Sequence, residues 1–272
     1  MLPKRQTVTI SKTLRLIAGC CLAILCVVNA RPAFGGPPIA TDDPETPGRG
    51  GWEINISHTL ERTRDELFME SPLIDINYGW LENDQWKIEF AAIALDPDDE
   101  PNHWGVSDVE LGWKYRFLEE EQHGIAASIY PQPLIPTGNH GLGLSDGRFE
   151  TLLPIEVGKH FCDDTIFVYG EVGYNAVFGN SAADEIIYGL AVACEATDEL
   201  DFMCEVGGVT FPRGDDPDDT FFNVGFKYEL NENVAFIGSS GRSFHNRNRG
   251  TPELLTYVGV QITLGGESCD SE

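Results

Sequence analysis

The sequence predicts an all-β fold, a transmembrane antiparallel up-and-down β-barrel of about 12 strands, on three observations: period-two alternation, connections that alternate in length, and aromatic residues gathered at strand ends. Alternation is clearest over 109–117, where Val109, Leu111, Trp113, Tyr115 and Phe117 share one face and Glu110, Gly112, Lys114 and Arg116 the other. Trp52, Ile54 and Ile56 stand in the same way against Glu53, Asn55 and Ser57. Ile74, Ile76, Tyr78 and Trp80 alternate with Asp75, Asn77 and Gly79, and Trp86, Ile88 and Phe90 with Lys87 and Glu89. Segment 125–135 alternates more weakly, and Pro131 and Pro133, which cannot donate to a ladder, predict a bulge or irregular edge within it. Further strands are expected over 149–157, 166–174, 187–196, 200–209, 222–230, 234–240 and 254–264. No helical periodicity of convincing length competes.

The connections sort into two kinds. Those over 81–85, 118–123, 162–164, 197–199 and 231–233 are short; those over 61–70, 96–107, 136–148, 175–185, 210–220 and 241–251 are longer and polar, and all but the charged 61–70 carry Gly, Pro or Asp in number. A barrel of about twelve antiparallel strands with both chain ends in the periplasm needs five turns on that side and six loops outside, and outer-membrane barrels keep the turns short and the loops long.

Alternation alone leaves open a soluble sandwich, which buries the same residues inward. The aromatic residues favour lipid outside: Trp52, Trp80, Trp86, Phe117 and Tyr228 fall at the periplasmic strand ends, and Tyr174, Tyr188 and Phe222 at the outer ends. Two girdles are what a bilayer selects, because amphipathic rings prefer its interfaces.

The 272-residue chain opens with a basic stretch (Lys4, Arg5, Lys12, Arg15), an apolar run over 16–28, and the small-residue stretch Ala33, Phe34, Gly35. That order is a secretory signal peptide over 1–35, with cleavage after Gly35 or, alternatively, Ala30. Ile17-Ala18-Gly19-Cys20 has the form of a lipoprotein box, but it follows Arg15 too closely to leave an apolar core before it. A periplasmic N-terminal segment is then expected over 36–50, the barrel over 51–264 and a polar tail over 265–272.

Without the signal, 13 basic residues face 44 acidic ones, a net charge of −31. Such a surface repels nucleic acid and favours solvation or cations. Cys162, Cys194, Cys204 and Cys269 are too few for a disulfide scaffold. Cys194 and Cys204 are expected about three positions out of register, beyond disulfide reach.

Several motifs give the chain a family likeness. Thr41-Asp42-Asp43-Pro44 followed by Gly51-Trp52-Glu53, then Gly112-Trp113-Lys114-Tyr115-Arg116-Phe117, Leu134-Ile135-Pro136-Thr137-Gly138, Gly141-Leu142-Gly143 and Ser240-Gly241-Arg242 resemble the outer-membrane family labelled for the meta-pathway of phenol degradation. The resemblance implies an outer-membrane barrel and a diffusion channel linked to uptake of aromatic compounds. The polar tail departs from the pattern, since outer-membrane proteins usually end on an aromatic residue.

The face opposite the apolar one would line the pore: Asp75, Lys87, Glu89, Glu110, Lys114, Arg116, Glu156, Phe167, Tyr169, Glu171, Asp201, Glu205, Lys227 and Glu229, with Glu53, Glu150, Glu195 and Tyr257 on the same side. Two readings follow. An open lumen of this composition favours cations or neutral solutes, whereas a plugged one pairs Lys114 and Arg116 with neighbouring carboxylates. Phe167, Tyr169 and Tyr257 would touch an apolar solute in the first case and pack a filled interior in the second.

Other chemistry is poorly supported. The acidic clusters Asp96, Asp98, Asp99, Glu100 and Asp215, Asp216, Asp218, Asp219 lack calcium-loop spacing, the six histidines lack metal-ligand spacing, and the glycines over 138–147 end in no phosphate-loop Lys. Ser243 and His245 are the nearest hydrolase pair, but they lie on the face away from lipid and without an orienting third residue. The expectation is therefore a non-enzymatic, cofactor-free and metal-free monomer surrounded by outer-membrane lipid and lipopolysaccharide, passing a small-molecule solute. A structural or adhesion barrel with a plugged lumen is the alternative, and a lipid hydrolase the third.

Overall fold

The computed structural model describes residues 37–98, 101–214, 218–245 and 251–265, so the expected signal peptide over 1–35 and the tail after 265 lie outside the described residues. Fourteen strand segments follow one another: β1 (Trp52–Arg62), β2 (Glu66–Tyr78), β3 (Asp84–Pro97), β4 (His103–Val106), β5 (Val109–Leu118), β6 (Ala126–Ile129), β7 (Gln132–Ile135), β8 (Glu150–Phe161), β9 (Ile166–Val177), β10 (Glu185–Thr197), β11 (Leu200–Thr210), β12 (Asp219–Asn231), β13 (Val234–Ser243) and β14 (Leu254–Leu264). A single helical turn, α1 (Glu120–His123), sits in the connection between β5 and β6.

The fourteen segments make twelve staves. β4 pairs with residues 92–95 of β3 and β5 with residues 84–89, so the two prolong one stave. β6 and β7 share β5 on one side and β8 on the other. Every neighbour is antiparallel, and the sheet closes on itself where β1 pairs with β14, from Trp52 opposite Leu264 to Arg62 opposite Leu254. Closure removes the free edges that a sheet in hydrocarbon could not satisfy.

The expected break between β6 and β7 falls at Tyr130 and Pro131. Pro131 has no N–H to give, and the ladder is patched by the Pro131 carbonyl, which accepts from Trp113 N–H at 3.1 Å. Tyr130 turns fully inward there, over Gly112, where a Cβ would stand 2.8 Å from its ring.

Strands outrun the expected ones at the long-loop end. The expected connection over 61–70 shrinks to residues 63–65, β3 continues to Pro97, and β4 lies inside the stretch 96–107. Past the apolar belt polar and apolar side chains occur on both faces, so alternation fades, while the backbone ladder needs no side-chain pattern and continues. The turn over 162–164 is as tight as its length suggests, with Cys162, Asp163 and Asp164 all at positive φ.

Faces sort as alternation requires. Trp52, Ile56, Leu111, Trp113, Phe202 and Val224 are exposed on the outside, whereas Asn55, Ser57, Ala191 and Ile237 are buried inside. Cys194 lies opposite Phe202, and Val192 opposite Cys204, so the two cysteines stand two positions apart, not three. A bulge between Glu195 and Thr197 accounts for the slip, and both thiols are free.

Candidate functional site

The interior is occupied by the chain's own N-terminal stretch, residues 37–47. That stretch was expected in the periplasm as part of 36–50; its described residues instead bond to inward side chains of the barrel. Gly50 N–H donates to the Gly79 carbonyl at 2.8 Å at the short-turn end, and from there the segment climbs inside. Arg116 pairs with Glu45, and Thr46 Oγ1 donates to the Glu82 carbonyl at 3.1 Å. Glu171 accepts from Asp42 N–H at 3.1 Å. Glu205 accepts from Ala40 N–H at 2.8 Å, and from Thr41 N–H and Oγ1, each at 2.7 Å. Ser239 Oγ donates to the Pro38 carbonyl at 2.5 Å. Glu171, Glu205 and Ser239 are each the sixth residue of their strand from the short-turn end, so the segment reaches about mid-depth.

Lys114 anchors this arrangement. Its Nζ lies 3.1 Å from Asp42 Oδ1, 3.2 Å from Glu156 Oε2 and 2.5 Å from the Asp43 carbonyl, and 4.6 Å from the centre of the Tyr130 ring. The lysine side chain is 2 % exposed and Glu156 0 %, with Ser128 Oγ donating to the same carboxylate. Buried charges persist only when paired and hydrogen-bonded, and here each charge meets its partner across the segment or the wall.

Apolar contacts complete the seat. Ile39 packs with Phe167, Tyr169, Ala191, Ala193 and Met203, and His160 stacks on Phe167 at 4.0 Å between centroids. Inward glycines make the room: a Cβ at Gly189 would lie 2.2 Å from Thr41 Oγ1, and one at Gly225 3.2 Å from Ile39.

The other expected pore-lining residues fall in two groups nearby. Lys87 Nζ bridges Glu89 at 3.0 Å and Glu110 at 2.8 Å, while Asp75 accepts from Asn55 and Asn77. Asp201 faces Lys227 in register, with Glu229 two residues further along β12. Phe167 and Tyr169 are fully buried packing residues.

Of the expected girdle, Trp52, Trp80, Trp86, Phe117 and Tyr228 are exposed near the short-turn end, Trp80 in the connection after β2. Tyr188 and Phe222 are exposed near the long-loop end. Tyr174 instead gives its hydroxyl to Asp184 at 2.6 Å. With Val177 N–H and Arg213 also donating, these bonds hold the Asp184 carboxyl below its ordinary range. Trp113, not assigned to the girdle from sequence, stacks on Tyr115 at 5.8 Å and neighbours Trp86 at 6.4 Å.

Beyond the segment's tip at 38–40 a vestibule of about 670 Å³ opens toward the long loops. Phe68, Phe211, Phe221 and Leu255 form its apolar wall, and Tyr257 lines it as well. Sequence reading missed it because residues 61–70 and 210–220 read as loops. Asp219, grouped by sequence with a solvated acidic loop, is buried at this wall, where it accepts from Ser243 Oγ and lies 3.1 Å from His245 Nδ1. The third residue near Ser243 and His245 therefore exists, but the carboxylate, not the imidazole, holds the serine hydroxyl, which is the reverse of a nucleophile–base pair. Among the described residues no group of three His, Cys, Asp or Glu is arranged to hold a metal ion.

A closed twelve-stave antiparallel barrel, apolar outside and charged inside, defines the class: an outer-membrane-type β-barrel. Solved structures of that class are similar to it. An outer-membrane channel from Pseudomonas putida F1, described as COG4313, superposes with a TM-score of 0.66 at 14% identity, over 83% of this chain and 100% of that one. The NanC porin gives 0.57 at 8% identity, over 78% and 100%. The KdgM porin gives 0.54 at 11% identity, over 78% and 99%. No protein-family model and no curated protein match the chain.

Proposed function

We propose that this chain is a passive outer-membrane channel for small solutes, exported by its signal peptide, standing as a monomer with lipid and lipopolysaccharide against its apolar belt, and closed at rest by its own N-terminal segment. One observation carries the reading. The lumen is a vestibule open toward the long loops and ending on residues 38–40, which are held by hydrogen bonds to side chains of the wall, not by a strand ladder. Such bonds can be exchanged for bonds to water without unzipping the sheet. The printed descriptions of the similar structures, an outer-membrane channel and two porins, support the same reading. Inward carboxylates outnumber inward cations, so cationic and neutral solutes are favoured over anions. Uptake of aromatic compounds, implied by the motif resemblance, belongs to the same proposal.

Liposome swelling with sugars and amino acids of graded size tests it. Flux of small neutral and cationic solutes, with anions excluded, is the expected result. An absence of flux both for the full mature chain and for a variant lacking residues 37–47 supports instead a structural barrel with a plugged lumen.

A further inference from the structure

We propose that the vestibule is a binding site for a small amphipathic ammonium compound, an amine carrying an apolar body. The inference names a ligand class for the channel proposed above and rests on that reading only for the ligand's passage, not for its binding.

Size, walls and charge point the same way. A cavity of about 670 Å³ lies in the range that small-molecule sites occupy. Phe68, Phe221 and Leu255 from β2, β12 and β14 offer apolar surface to a ring or a short alkyl chain, with Glu61 between Phe68 and Leu255 in register. Glu61, Glu70 and Asp219 supply its charged groups, and among the described residues no lysine or arginine lines the cavity. Glu70 accepts from Thr59 Oγ1 at 2.8 Å, a neutral partner, while Asp219 accepts from Ser243 Oγ and has His245 Nδ1 at 3.1 Å, so Glu61 and Glu70 carry the charge left for a ligand. Asn223, 6 % exposed at the same wall, gives its Nδ2 to Glu205 and Ser239 and leaves Oδ1 without a partner. Among the described lining residues the charged groups are thus all carboxylates.

An ammonium head supplies three N–H donors and the missing positive charge, and its body replaces water against the phenyl rings. A carboxylate ligand would meet only like charge. A neutral alcohol of the same shape would gain the apolar contact and lose the charged one.

The test uses the full mature chain folded in detergent micelles, its fold verified by heat-modifiable migration, with 2-phenylethylamine, 2-phenylethanol and 3-phenylpropionate as probes in calorimetric titration. The amine is expected to bind roughly tenfold or more tighter than the alcohol, and the carboxylate weakest. Combined Glu61→Gln and Glu70→Gln should erase the preference for the amine while keeping alcohol binding, and Phe68→Ala should weaken amine and alcohol alike. Equal affinity for amine and alcohol in the unaltered chain overturns the proposal, as does a preference that survives the double Gln variant. Sugar flux into liposomes, measured on the full chain and on a variant lacking residues 37–47, separates the two readings: flux from either without amine preference leaves the channel and removes this site, and amine preference with no flux from both retains the site and removes the channel.

Discussion

The two halves of the lumen are built from the same inward-facing register yet solve different problems. Toward the short turns, the chain's own segment meets several inward charges: Lys114 through Asp42, beside the wall's Glu156, Arg116 through Glu45, and Glu205 through two backbone N–H groups. Toward the long loops, Glu61, Glu70 and Asp219 surround open space. The difference teaches that a barrel wall does not by itself decide between pore and core. What decides is whether a donor-rich segment is at hand to satisfy the acidic face, and residues 37–47 reach only to mid-depth.

The largest expected effect comes from breaking the filled half open. Gly189→Leu puts a branched side chain where Thr41 now lies, since even a Cβ would come within 2.2 Å of its hydroxyl. The segment should be displaced, and single-channel conductance in planar bilayers should rise several-fold while the barrel stays folded; an unchanged conductance would remove the segment as the obstruction. Next in size is Lys114→Met, which strands Glu156 in a buried site and should cost about 3–5 kcal/mol of stability in denaturant titration. Adding Glu156→Gln to it should recover part of that loss, because the uncompensated charge is then gone. A double variant no more stable than the single one would mean that the pair does not interact.

How much of this was legible in the sequence follows the same division. Outward residues such as Trp52, Ile54 and Val206 announce themselves because lipid demands an apolar side chain at every second position. Strand ends do not: Glu66, Leu95 and His103 lie in strands beyond the belt, where no solvent contrast enforces alternation. The inward identity of Lys114, Glu156, Glu171 and Glu205 was also readable. Their partner was not, because residues 37–47 have no periodicity and meet the wall through single side chains. Two traces of it were present nonetheless: the inward glycines Gly158, Gly189 and Gly225, and a surplus of inward carboxylates that required N–H donors from somewhere. The vestibule was hidden for another reason. Phe68 falls in the charged stretch 61–70 and Phe211 in the Gly-, Pro- and Asp-rich stretch 210–220, both of which read as loop, and only the fold turns them inward.

Smaller effects sharpen the boundary between the halves. Glu205→Ala removes the acceptor for Ala40 and Thr41, so hydrogen exchange at those amides should quicken by roughly tenfold or more, given about 1.5–3 kcal/mol for a charged hydrogen bond. The barrel's unfolding transition should hardly move. Exchange that stays slow would mean that the segment is held by packing around Ile39. The smallest effect lies outside the lumen, at Asp184 between β9 and β10. Its carboxyl is held low by Tyr174, Val177 N–H and Arg213, so its contribution is complete above the ordinary aspartate range and is lost only as pH falls through the lowered value. Amide protection at Val177 should therefore be flat from neutral pH down to mild acid and fall only in strong acid; a decline already near neutrality would contradict the sign.

The seat of the segment is best tested by tying it down. A Cβ at Gly189 would stand 3.0 Å from the Thr41 Cβ, inside the roughly 3.5–4.5 Å that a disulfide spans, so an outward shift of about half an ångström brings the pair to cross-linking distance. With the native cysteines replaced, Thr41→Cys combined with Gly189→Cys should form a cross-link under oxidation and hold conductance at the closed resting level, whereas on reduction the side chain added at position 189 crowds the segment out, as in Gly189→Leu, and conductance should rise several-fold. Two thiols that stay free, with conductance indifferent to reductant, would show that residues 37–47 do not occupy the barrel.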